Sequence, residues 1–176
     1  MPSSYILLDR DGTLIKHIPY LIEPTQVELL PKVIEGMTLF KELGFKFGII
    51  TNQSVVGRGL ATRGDVDKVN ASIILLLERE DISISFVLVC PHKPSDMCAC
   101  RKPSPQLGII AIEEYGVDAP SSYMIGDASS DISFGQAIGC QTIQIIESPN
   151  EASNADYATL DLHDAAKFVQ SQRERV

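Results

Sequence analysis

Residues 5–14 read YILLDRDGTL: a tyrosine and three aliphatic residues, then aspartate, arginine, aspartate, glycine. A short apolar run without polar alternation is how a strand buried on both faces is written. The run ends at Asp9, so its carboxylate stands at the strand's carboxyl end, with Asp11 two residues on. Extended backbone there projects both side chains to one side. Gly12-Thr13 then lets the chain leave sharply. Taken alone, DRDG also reads as a polar turn. Two carboxylates this close repel each other unless a cation or a shared proton intervenes. A hard divalent ion with oxygen ligands is the natural solution, and Mg²⁺ fits.

Working outward, FKFGIIT (45–51), SFVLVC (85–90), SSYMIGD (121–127) and CQTIQII (140–146) read as further strands. Apolar residues at helical spacing predict helices over 32–44, 62–81, 104–116, 129–139 and 161–172. Gly44 suits a helix C-cap, Thr62 an N-cap, and Ser104-Pro105 a cap and first turn. Strand and helix alternating at these spacings predict an α/β fold with right-handed crossovers and a mostly parallel sheet. No break divides residues 1–176, which predicts one domain. Sites in such sheets form at the carboxyl ends of strands. Asp9, Thr51, Cys90 and Asp127 each close a predicted strand, so they should gather along one edge.

Composition narrows the function classes. Apolar residues make up 44% and charged residues 22% of the 176, as in an ordinary soluble domain. The net charge of −8 argues against nucleic-acid binding, which needs a basic face. No apolar run reaches the length of a membrane span, and the N-terminus lacks the pattern of a signal peptide. The expectation is a cytoplasmic monomer acting on a small anionic substrate. Four cysteines in such a chain do not suggest a disulfide framework. Cys140, in an apolar stretch, reads as a packing residue.

GDASSD (126–131) adds Asp127 and Asp131, although that segment alone also reads as a helix N-cap. Together the pieces point to phosphoryl transfer. A carboxylate nucleophile forms an aspartyl-phosphate and divides one hard step into two. A second carboxylate protonates the leaving oxygen and later activates water. The phosphoryl charge needs a metal, a lysine and hydroxyl donors. The chain offers Asp9 as nucleophile, Asp11 as acid/base, and Thr51 and Lys102 as phosphoryl clamps.

These residues resemble the four motifs of the haloacid dehalogenase (HAD) superfamily of phosphatases: DRDGT, ITN at 50–52, Lys102, and GDASSD, in that order. The resemblance implies a Rossmann-like sheet, and Mg²⁺ bound by Asp9, the backbone carbonyl of Asp11, and Asp127. It also implies that Asp131 supports the site by orienting Lys102. The short interval between the first two strands leaves no room for a large cap domain. The loop KHIPYLIEP (16–24) reads as a small flap carrying His17 and Tyr20.

CPHKPSDMCACRKP (90–103) holds Cys90, His92, Cys98 and Cys100. Their spacing can close a tetrahedron on Zn²⁺, and four protein ligands make such a metal structural. A reactive thiol pair and a chance cluster are the competing readings. The metal would fix a loop too polar to fold alone and so position Arg101 and Lys102. The whole segment resembles two HAD branches, heptose bisphosphate phosphatases and histidinol-phosphate phosphatases. TNQSVVGRGL (51–60) is similar to the heptose branch, where a Ser and an Arg-Gly pair follow TNQ. A bidentate Arg58 suits a second phosphate; its alternative is a solvated cation at a helix entry. Arg101, with Asn52, Gln53 and Ser54, would orient the sugar or its remaining phosphate. A reading of another class is a non-catalytic, receiver-like phospho-binding module. The presence of Asp11 beside Asp9 weighs against it, because binding alone needs no acid/base.

Overall fold

Each of the five apolar runs forms a strand in the computed structural model, which describes residues 2–174. They are β1 (Tyr5–Leu8), β2 (Lys46–Asn52), β3 (Phe86–Cys90), β4 (Tyr123–Gly126) and β5 (Gln141–Ile145). A sixth, β6 (Tyr157–Thr159), was not predicted, because three residues are too short to show a period. All neighbours pair in parallel, in the order β3-β2-β1-β4-β5-β6.

The helices are α1 (Val33–Glu42), α2 (Ser54–Gly57), α3 (Arg63–Glu78), α4 (Gln106–Tyr115), α5 (Ser129–Ala137) and α6 (Leu162–Arg173). The single turn α2 also escaped the sequence reading. Gly44 ends α1 as expected: at φ +85° it lets Phe45 N–H reach the Phe40 carbonyl and its own N–H the Lys41 carbonyl. Thr62 caps α3 with a reciprocal Asp65 contact. The expected Ser104 cap is a correction: Pro105 occupies the N-cap position of α4, and no side chain caps that end.

Alternation along the buried strands sorts the core into two layers. Ile6, Leu8 and Ile49 face α1, α3 and α6, where Phe40, Ile73 and Val169 are buried. Tyr5, Leu7 and Ile50 face α4 and α5, where Leu107, Ala111 and Phe134 are buried. The strand order reverses between β1 and β4, and in open α/β sheets the crevice beyond that point takes the ligand. Asp9 and Asp127 stand one residue past the ends of those two strands.

Between β1 and β2 the chain makes only a small excursion before α1. Its base is pinned by an antiparallel bridge between Ile15 and Leu29, with Lys16 N–H on the Glu28 carbonyl at 2.9 Å and Leu30 N–H on Leu14 at 3.0 Å. The flap at 16–24 lies within this closed loop. Among the described residues no helix is long and apolar enough to cross a membrane.

Helices α1 and α6 touch backbone to backbone at Gly36. A Cβ there would lie 2.6 Å from the Leu162 carbonyl atoms. Ala is favoured over Gly in a helix interior by about 1 kcal/mol, but this overlap outweighs it. Gly36→Ala is expected to destabilise the protein by about 1–3 kcal/mol, read as a lower urea midpoint at unchanged m-value.

Candidate active site

The carboxyl ends of β1, β2 and β4 enclose a cavity of about 430 Å³. It is lined by Asp9, Asp11, Thr51, Lys102, Asp127 and Asp131, with Asn52, Gln53, Ser54 and Arg101 on one wall and the flap residues His17 and Tyr20 on another. The structure therefore brings together the predicted catalytic and substrate-binding residues with one exception. Arg58 is exposed outside the lining, its guanidinium 5.7 Å from the Tyr20 ring centre and its Nε 3.4 Å from Ser54 Oγ.

Lys102 is the buried centre of the site. Its Nζ donates to Asp9 Oδ1 at 2.6 Å and to the Ile50 carbonyl at 2.6 Å, and lies 2.7 Å from Asp131 Oδ1. Burial alone would lower its pKa, but Asp9 and Asp131 outweigh burial and raise it, so the lysine is an ammonium. The Asn52 side chain grips the Lys102 backbone from both sides, Oδ1 accepting at 3.0 Å and Nδ2 donating at 3.2 Å. That amide is engaged in holding the lysine.

Charge is unbalanced around it. Asp9, Asp127 and Asp131 can converge on one point, their nearest oxygens within 4.8 Å of one another. Three carboxylates against one ammonium leave two negative charges. Asp11 does not alter this count, because Arg10 pairs with it at 2.9 Å. The imbalance shows in the acidities. Burial, with Asp131 and Asp11 adding to it, pushes Asp9 up to about 6 against the pull of Lys102. Burial and the Asp9 charge push Asp127 up to about 6. An oxygen cluster short of two positive charges fits a hard divalent cation. Among the described residues, no N–H donates to the Asp11 backbone carbonyl, which leaves that oxygen available as a ligand. Gly12, at φ +82°, allows the close approach, since a Cβ there would sit 2.3 Å from Asp127 Oδ2.

Three residues outside the sequence reading position this set. Arg10 is only 1% exposed and forks onto the Asp11 carboxylate. Gln144 donates to the Asp127 backbone carbonyl at 2.9 Å while accepting from Ser153 Oγ at 2.6 Å. Asn70 of α3 accepts from Arg10 Nη1 at 3.0 Å. A readable signal existed for two of them: Gln144 interrupts the buried run TIQII, and Asn70 takes a turn in the apolar stripe of Val66, Val69 and Ile73.

Beside the cavity, Cys90, His92, Cys98 and Cys100 form a second cluster. The Sγ–Sγ separations are 3.3–3.6 Å, and His92 Nδ1 lies 3.2 Å from Cys100 Sγ and 3.7 Å from Cys90 Sγ. A tetrahedron with metal–sulfur bonds of about 2.3 Å has edges of about 3.8 Å, so the cluster is compatible with zinc. Arg101 Nη1 donates to the His92 carbonyl at 3.1 Å and ties the cluster to the cavity wall.

Comparisons with known proteins agree with this geometry. A family model described as "HAD-hyrolase-like" matches residues 99–165. The "Probable D-glycero-D-manno-heptose-1,7-bisphosphate 7-phosphatase" of Thermoplasma volcanium is 38% identical over 122 residues, 69% of this chain and 84% of that protein. The histidine biosynthesis bifunctional protein HisB of Blochmanniella floridana is 37% identical over 82% of this chain, which spans 41% of that protein. The crystal structure of D,D-heptose 1.7-bisphosphate phosphatase from B. bronchiseptica, complexed with magnesium and phosphate, superposes with a TM-score of 0.85 at 23% identity, covering 96% of this chain and 99% of that one. Fold and site thus define a phosphatase, and the chain belongs to the HAD superfamily. It is a phosphoric monoester hydrolase whose relatives include heptose bisphosphate phosphatases.

The raised pKa of Asp127 has a measurable consequence. Its folded pKa of about 6 exceeds the ordinary 3.8. The contribution of this group to stability is then fully present below 3.8 and is lost as pH rises through about 6. In chelator, Asp127→Asn should be more stable than the native chain at pH 7.5 and equal to it below pH 4. Two pKa units correspond to ~3 kcal/mol. Solvent screening of this partly exposed group reduces the expected gain to about 1–2 kcal/mol, read from thermal midpoints.

Proposed function

We propose that the chain is a single-domain, Mg²⁺-dependent phosphatase that removes the C7 phosphate of D-glycero-D-manno-heptose 1,7-bisphosphate. The observation that carries the reading is the placement of Asp9 and Asp11 on one cavity, the first held by buried Lys102 and the second by Arg10 and Gln53. Magnesium would be held by Asp9, Asp127 and the Asp11 carbonyl, where it supplies the two missing positive charges and polarises the phosphoryl oxygens.

The reaction then follows from the residues. An Asp9 carboxylate oxygen attacks phosphorus as the bond to the sugar oxygen breaks, and Asp11 protonates that oxygen. Water next attacks the aspartyl-phosphate, Asp11 takes its proton, and inorganic phosphate leaves Asp9. Lys102 faces the growing phosphoryl charge, and Thr51, whose Oγ1 accepts from Gln53 Nε2 at 2.9 Å, keeps its own hydroxyl proton to donate. Asp131 holds Lys102 in place. Arg101, Gln53 and Ser54 meet the sugar or its remaining phosphate, with Asn52 supporting that wall. His17 and Tyr20 close from the flap, and Arg58, stacked on Tyr20, adds positive charge at the mouth. Zn²⁺ on Cys90, His92, Cys98 and Cys100 would brace the wall that carries Arg101. The same reading makes the enzyme a cytoplasmic monomer, whose four free cysteines stay reduced or metal-bound.

The second reading is histidinol phosphate, favoured by the likeness to HisB. It is weakened by Ser54 at the cavity wall, where a cationic amine would call for a carboxylate.

Side-by-side assays decide between them. The heptose bisphosphate should exceed histidinol phosphate in kcat/KM by about a hundredfold; the opposite preference overturns the substrate. Asp9→Asn should keep the native circular dichroism and lose about 10³-fold or more in kcat. Metal analysis of chelator-washed protein should find about one zinc per chain, absent from Cys98→Ser.

A further inference from the structure

The cavity has a support on its far side, in helix α3, that the chemistry above does not use. Arg10 is among the largest fully buried side chains in the protein and carries a charge. A buried guanidinium is tolerated only when its donors are matched. Here Nε and Nη2 reach the two oxygens of Asp11 at 2.9 and 3.3 Å, and Nη1 reaches Asn70 Oδ1 at 3.0 Å.

Asp11 is the residue next to Arg10, and an ion pair between neighbours joins no distant parts of the chain. Its effect is therefore local and fixes how the Asp11 carboxylate is turned. The contact with Asn70, sixty positions away, is the part that fixes Arg10 itself. Asn70 is 5% exposed on a helix face otherwise buried through Val66, Val69, Ile73 and Leu77. A polar residue in that stripe weakens packing, and its partner here is the arginine.

The donor count adds a second point. A carboxylate offers about four lone-pair sites. Arg10 takes two and Gln53 Nε2, at 2.8 Å from Oδ2, takes a third. About one site remains for a proton in transit.

We propose that Arg10, anchored by Asn70, is a positioning residue that holds the Asp11 carboxylate in its acid/base orientation. This rests on the acid/base reading of Asp11. Asn70 touches neither substrate nor metal ligand and acts through two intervening side chains.

A double-mutant cycle tests it, with kcat and KM for the heptose bisphosphate measured in the native and Asp11→Ala backgrounds. Asn70→Ala should lower kcat about tenfold or more in the native background, within the range of general acid–base effects, with KM changed by less than about twofold. In the Asp11→Ala background the same substitution should change kcat by less than about twofold, because the residue it serves is gone. Asn70→Asp keeps the acceptor and should stay within about threefold of native. A simple packing defect would lower both backgrounds alike, and equal losses overturn the proposal. An unchanged kcat in Asn70→Ala overturns it as well. Full activity in Asp11→Ala alone would instead overturn the acid/base reading, and the positioning role with it.

Discussion

The Lys102 ammonium is buried between two carboxylates, Asp9 at 2.6 Å and Asp131 at 2.7 Å, with a strand carbonyl as third acceptor. Such a charge has no water to fall back on, so each acceptor is required. The three acceptors come from the ends of β1 and β2 and from the start of α5. The lysine arrives on the segment between β3 and α4, so one cation draws together elements from both sides of the sheet's reversal point. It remains one charge short of pairing even its two contacting carboxylates. That deficit, enlarged by Asp127, is what suits the cavity to a cation. Structural pairing and chemical demand thus come from the same residue.

Around this centre a single chemical device recurs. Carboxamide side chains hold the charged residues, through backbone or side chain: Asn52 grips the Lys102 backbone, Gln53 the Asp11 carboxylate, Gln144 the Asp127 backbone carbonyl and Asn70 the Arg10 guanidinium. An amide carries a donor and an acceptor without net charge. It can orient an ion in a dry setting without adding to an already negative site. A carboxylate in place of Asn52, Gln53 or Gln144 would enlarge the deficit, and a lysine would compete with Lys102.

The fold was legible because parallel strands buried on both faces need continuous apolar runs, and such runs at Tyr5, Phe47, Phe86 and Tyr123 are hard to read otherwise. β6 and α2 were missed because each is about one turn or less of chain, held by neighbours rather than by its own pattern. Asp9 and Asp127 were legible because each follows directly on a strand, where the fold itself predicts a site, and Asp11 and Asp131 lie two and four residues beyond them. Arg10 was not. Next to two aspartates it reads as a solvated charge, and nothing local says that its guanidinium turns inward to a helix sixty residues on. Tertiary geometry alone decides that.

The pinned flap has a consequence for how the cavity excludes water. With Ile15 and Leu29 bridged, the loop between them moves about a closed neck and cannot swing as a domain would. Its tip, near the half-exposed Tyr20, lies beyond that bridge. The remaining opening has to be filled by whatever part of the bound molecule is not reacting. A molecule with bulk beyond the scissile phosphate would then be its own stopper, drying a site that a smaller one would leave wet. A preference for size would follow from the shortness of a loop, in the place where a cap domain would otherwise enforce it.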